Sequence, residues 1–230
     1  MRILAVVTFL AFSFAPVLGQ SYHPVLPESM IQHYCGAPQI ASGAEFDQVA
    51  AIAERLAVAN PRIEIALAMS PRINAWDVEL SASVSLICIP IGIVHFMSGE
   101  GQLAFILAHE FGHALDDSCK SLSSRGRLAD RSTTGVVLTL LFGHSNGVGP
   151  LEQRTCESRA DEFGVTLMTR AGYDPNAAAS ALGRFSLLVG ESGSGPIARL
   201  AALDRDHPIT ADRIRRVRKV IARQSVPPPQ

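Results

Sequence analysis

Residues 102–118 form a strongly apolar stretch of helical character, and inside it stands His109-Glu110-Phe111-Gly112-His113. Two histidines at i and i+4 lie one turn apart on one face of a helix, so both imidazoles can reach a single metal ion at about 2.0–2.1 Å. Glu110 falls about 100° round the same helix, where it can take a proton from an attacking water without competing for the ion. The spacing separates ligands from base. With 7 His and 11 Glu in 230 residues, the pattern arises by chance roughly 0.01 times per chain. Two imidazoles and a carboxylate packed on an apolar helix for no purpose would each need a buried partner.

Zinc that keeps one coordination position open for water needs a third protein ligand. Cys156-Glu157-Ser158-Arg159-Ala160-Asp161 supplies the best candidate. Glu157 would bind the ion, and Asp161, one turn later on the same face, would hydrogen-bond a ligand imidazole and orient it. A Glu and an Asp four apart are by themselves usually a solvated helix face. Following an HExxH helix, the pair acquires a chemical reason.

The rest of the chain reads as one domain. A hydrophobic content of 47%, with 18% charged and 6% aromatic residues, excludes disorder, collagen-like repeats and coiled coil. The net charge of −1 gives no reason to expect nucleic acid as a partner. Residues 3–18 carry no charge, follow Arg2 and end in Val17-Leu18-Gly19, so 1–19 is expected to be a secretory signal peptide and the protein to be exported, periplasmic or secreted. An uncleaved N-terminal anchor is the alternative. Residues 20–43 hold several prolines and little periodicity, and read as an extended leader.

The domain itself is expected over 44–223, with a flexible tail at 224–230. Apolar positions recur at helical spacing over 44–58; 63–69, 73–80 and 83–96 read as strands, with Pro90 marking an edge strand or a break. Ser98 is the expected N-cap of the HExxH helix. Segment 121–149 reads as a mobile connection with a short helix, 151–171 and 175–188 as helices around Gly172, 190–196 as a loop, and 209–222 as a last helix. That helix carries Arg213, Arg215, Arg216, Arg218, Lys219 and Arg223 over an apolar stripe. It reads as a solvated basic face, with peripheral contact to an anionic membrane surface as the sharper alternative.

Four cysteines, Cys35, Cys88, Cys119 and Cys156, fit no metal-binding spacing. In an oxidising compartment they allow one or two disulfides among three full pairings. Antiparallel packing of the two helices that bear the metal ligands would bring Cys119 near Cys156.

In the order of its motifs the sequence resembles the M48 zinc metallopeptidases, a gluzincin family. The resemblance runs over about 74–214 and rests on Asn74-Ala75 ahead of a strand, the HEFGH segment at 109–113, ESRADEFG from Glu157, the Ala171-Gly172-Tyr173-Asp174-Pro175 turn, and His207-Pro208 followed by Arg213-Ile214. It implies an α+β fold: a mostly helical zincin-type metallopeptidase domain with a small β-sheet beside the active-site helix. It implies one Zn²⁺ per chain held by His109, His113 and Glu157, with Glu110 as catalytic base, Asp161 as the carboxylate behind a ligand, and His207 and Arg213 flanking the site. His207 would either donate to the oxyanion of the tetrahedral intermediate or occupy the open zinc position in a resting form. The comparison is with short, soluble, exported members, not with the membrane-embedded ones. His23, His33, His95 and His144 match no motif.

The function expected is zinc-dependent endoproteolysis, with protein or peptide as the partner. Extended or unfolded segments would align by strand addition on a sheet edge expected at 84–96. The alternatives are a chaperone or scaffold stabilised by zinc with little hydrolysis, and a non-M48 zincin acting on another amide.

Overall fold

The computed structural model describes residues 26–56, 63–81, 84–119, 150–190 and 211–224. The signal peptide expected at 1–19, the connection expected at 121–149, most of the loop expected at 190–196, His207 and most of the tail expected at 224–230 lie outside the described residues.

The first element corrects the reading of 20–43 as an extended leader. Glu28–Cys35 forms a helix, α1, with Ile31 and Cys35 buried one turn apart. Gly36 ends it at φ 71°, a left-handed conformation that a residue without Cβ adopts freely. Two buried positions in eight residues leave almost no periodicity to read.

Helix α2 (Ala44–Arg55) buries Val49 and Ile52. Strands β1 (Ile63–Ala68), β2 (Trp76–Ser81) and β3 (Val84–Pro90) make one sheet in the order β1-β3-β2, with β3 parallel to β1 and antiparallel to β2. The strand expected at an edge is therefore the central one. Its residues Leu86, Ile87, Cys88 and Ile89 are all fully buried, because both faces are covered. Ile63, Ile65, Leu67, Ile87 and Ile89 enter the main core, while Ala66, Ala68, Leu86 and Cys88 pack against Ile31 and Cys35 of α1. A continuous apolar run is what a strand covered on both faces requires.

Pro90 ends β3, and 91–96, expected to continue the strand, is a short helix, α3 (Ile91–Phe96). A residue with no N–H suits the position ahead of a first helical turn. Gly92 explains the packing: its N–H donates to Ser70 O at 3.0 Å, and a Cβ on it would fall 2.4 Å from the Pro71 carbonyl. Tertiary contact overrides the β preference of Ile91, Ile93 and Val94.

Helix α4 (Glu100–Leu115) buries every residue from Leu103 to Gly112. Its N-cap is Gly99, and Ser98 instead donates its backbone N–H to Gln102 Oε1 at 3.0 Å. Helix α5 (Pro150–Arg170) runs antiparallel to α4, Gly172 turns the chain at φ 78°, and α6 (Asn176–Gly190) and α7 (Ala211–Gln224) complete the domain. Helix α4 packs against α5, α6, α2 and the sheet, and α7 lies on α5 and α6. The turn after α5 is fastened to the start of α4: Tyr173 Oη donates to Glu100 Oε1 at 2.8 Å. Arg55 donates to Ala171 O at 2.9 Å and Gly172 O at 3.1 Å while stacking on Tyr173.

The outcome is an α+β domain, mostly helical, with a small sheet beside α4, as expected. Arg215, Arg216, Arg218, Lys219 and Arg223 are exposed along α7. Arg213, grouped with them in sequence, points inward and is buried with Val217 and Ile221. Among the described residues no helix is long and apolar enough to cross a membrane.

Candidate metal centre

The centre is built where α4 and α5 cross, and two glycines set how closely they approach. A Cβ on Gly112 would lie 2.9 Å from Ala160 Cα, and one on Gly164 would lie 3.1 Å from His109 N. Neither glycine drew a role from sequence. The available signal was their place inside helices, where glycine costs about 1 kcal/mol against alanine unless close approach requires it.

With the helices this close, α5 presents Glu157 and Asp161 to the two histidines of α4. The Nε2 atoms of His109 and His113 stand 3.1 Å apart. Glu157 Oε1 lies 3.3 Å from His113 Nε2, and its Oε2 lies 3.5 Å from His109 Nε2. The ligand atoms of these three residues all fall within 4.8 Å of one another. On the far side of the imidazole, His109 Nδ1 is 3.0 Å from Asp161 Oδ1. Arg213, reaching in from α7, donates to Asp161 through Nε at 2.9 Å and Nη2 at 2.7 Å, and its Nη1 lies 2.8 Å from Glu157 Oε2.

This donor set fits a divalent ion. An Nδ1–H given to Asp161 fixes the tautomer of His109 so that Nε2 carries a lone pair, and that lone pair faces Glu157 and His113. Glu110, Glu157 and Asp161 are buried with a single guanidinium, that of Arg213, so the carboxylates outnumber the permanent positive charge by two. A 2+ ion offsets that excess, and two imidazoles with one carboxylate are a known zinc set with one position left open. The same field acts on protons. Burial works against a charged His109, but its hydrogen bonds to Asp161 and Glu157, and their charges, outweigh burial and carry its pKa up to about 9. Burial would raise the Asp161 carboxyl; the charge of Arg213 and the hydrogen bonds from His109 and Arg213 hold it below the usual carboxylate value.

Glu110 and His109 border a cavity of about 30 Å³, room for about one water. Its apolar wall includes Ile93, Phe105, Leu182 and Phe185, and Asn74-Ala75 bound it on the sheet side. The structure thus brings together His109, Glu110, His113, Glu157, Asp161 and Arg213. His207 lies outside the described residues. The expected Cys119–Cys156 pairing is present, and Cys35–Cys88 is bonded as well.

Residues 45–221 match the sequence profile of peptidase family M48. The chain belongs to peptidase family M48. The match spans the elements from α2 to α7, and members of that family are metal-dependent. A curated relative is the mitochondrial metalloendopeptidase OMA1 of Schizosaccharomyces pombe, 28% identical over 138 residues. The alignment covers 55% of this chain and 38% of that protein, so the chain spans well under half the length of that relative.

Proposed function

We propose that this member of family M48 is a zinc-dependent endopeptidase that cuts extended or unfolded protein segments in an exported compartment, periplasmic or secreted. The observation that carries the reading is the convergence of His109, His113 and Glu157, with a buried Glu110 one residue from the first of them. One Zn²⁺ per chain, held by those three side chains, would supply a Lewis acid that polarises the scissile carbonyl and lowers the pKa of a water to about 7.

The chain's own residues do the rest. Glu110 takes the proton of the attacking water and later gives it to the leaving amine. Asp161, fixed by Arg213, holds Nδ1–H of His109 and so keeps Nε2 available as a ligand. A scaffold holding zinc for structure alone has no use for a carboxylate at Glu110.

The substrate reading moves from β3 to β2. Strand β2 lies at the sheet edge, and it follows directly on Asn74-Ala75, which line the same cavity as His109 and Glu110. A peptide added to that edge in extended form would run past the metal centre, a mode that favours unfolded segments. Two disulfides suit an oxidising compartment, which supports export. A digest of unfolded casein tests the reading: cleavage should stop with a zinc chelator and return when zinc is restored. Cleavage indifferent to chelation would overturn it.

A further inference from the structure

We propose that the Cys119–Cys156 disulfide is a positioning element of the metal centre, so that breaking it lowers the affinity of the site for zinc. The inference rests on the reading that His109, His113 and Glu157 hold the ion.

Two of those ligands share one helical turn of α4 and are fixed relative to each other by backbone geometry. Glu157 stands on a different helix, so the accuracy of the site is the accuracy with which α5 docks on α4. That docking is fastened at the ligands themselves. On one side of Glu157, Cys156 is bonded to Cys119 with their Cα atoms 5.7 Å apart. On the other side, Arg159 Nε lies 3.1 Å from Asp116 Oδ2 and its Nη1 donates to Ser118 Oγ at 2.8 Å. Both ties anchor to 116–119, the stretch that follows His113 almost directly. Asp116 shapes that stretch by accepting from Ser118 N–H at 3.1 Å, Ser118 Oγ–H at 2.6 Å and Cys119 N–H at 3.4 Å.

The two ties are unequal. Arg159 is 56% exposed, and ion pairs in contact with water hold little. Cys119 and Cys156 are buried, and their bond cannot be screened or solvated apart. It follows that the covalent tie, one residue from Glu157, carries most of the restraint. The other disulfide supplies an internal comparison: Cys35–Cys88 joins α1 to β3 on the sheet face turned away from the main core and touches no ligand.

The experiment measures zinc affinity of the full chain by competition with a chromophoric chelator, together with thermal melting. It compares the oxidised protein, C119S/C156S and C35S/C88S. Loss of either disulfide lowers the melting temperature, so stability alone does not discriminate. Zinc affinity should fall by about 10–100-fold in C119S/C156S, the range for removing a group that orients a ligand, and stay within about threefold in C35S/C88S. Should C119S/C156S fail to fold, the folded, zinc-free parent is treated with a water-soluble phosphine. Each S–S bond opened yields two thiols, their hydrogens coming from one water whose oxygen leaves as phosphine oxide, and reoxidation should restore the affinity. Equal affinity before and after Cys119–Cys156 is opened would overturn the inference, as would an equal loss in C35S/C88S. An oxidised parent that binds no zinc would instead overturn the ligand reading beneath it.

Discussion

Arg213 and Asp161 meet across two buried contacts of 2.7 and 2.9 Å, so the last helix of the domain is joined to the carboxylate behind His109. Their side chains are 7% and 3% exposed. A pair this dry gains little net stability by forming, since desolvation offsets much of the attraction, but removing one partner strands a buried charge. Arg213→Met should therefore cost about 3–5 kcal/mol of unfolding free energy, measured by denaturant titration at fixed zinc. Adding Asp161→Asn to it should recover part of the loss, because one of the stranded carboxylates is gone. Strict additivity of the two single changes would show that the residues do not act as a unit.

What was legible in sequence follows from the range over which each feature is determined. The HEFGH segment and Glu157 with Asp161 are local helical spacings, and each pair shares one face of its helix because a turn of helix is the same everywhere; their meeting depends on the crossing of α4 and α5 at Gly112 and Gly164. Which strand is central is not local. The run Leu86–Ile89 held the hint, since four consecutive buried apolar residues suit a strand covered on both faces, yet Pro90 drew the reading toward an edge. Helix α1 escaped notice because only Ile31 and Cys35 face inward, and α3 because Ile91, Ile93 and Val94 favour strands until Gly92 is pressed against Pro71. The inward turn of Arg213 could not be told from the basic face of α7 by composition. Only the family resemblance set it beside the site, and its contact with Asp161 on α5 is supplied by the fold.

Removing the ion should weaken the protein as well as silence it. A ligand that binds only the folded state stabilises it by RT ln(1 + [L]/Kd), about 2.7 kcal/mol at a hundredfold excess over Kd. Chelation should lower the melting temperature of the parent accordingly. Glu157→Ala keeps both histidines but loses the third ligand, so metal analysis should find clearly less than one zinc per chain and chelation should shift its melting much less. Full zinc content in that variant would remove Glu157 from the ligand set.

Glu110→Gln separates chemistry from binding. The amide is nearly the same size and leaves His109, His113 and Glu157 in place, so zinc content and melting should stay close to the parent. It cannot accept a proton from water, and hydrolysis of an unfolded protein should fall by about 10²–10⁴, the contribution of a positioned base. Activity within a few-fold of the parent would show that another group removes the proton.

The last prediction concerns the closeness of α4 and α5. Alanine is the better helix former by about 1 kcal/mol, so on local grounds Gly112→Ala should stabilise α4. The added methyl, however, would stand 2.9 Å from Ala160 Cα and 3.3 Å from Ala160 O, and backbone cannot swing aside as the end of a long side chain can. The helices must part, at a cost of about 1–3 kcal/mol for overpacking a close contact, and Glu157 and Asp161 move with α5. Gly183, in the interior of α6, is the control, because no described atom beyond its chain neighbours and the adjoining backbone of its own helix lies within 4 Å of a Cβ placed there. Gly183→Ala should raise the melting temperature and leave zinc affinity unchanged. Gly112→Ala should lower both. A Gly112→Ala protein that melts higher than the parent and binds zinc equally well would show that the crossing has slack, and that the third ligand reaches the histidines without the contact between Gly112 and Ala160.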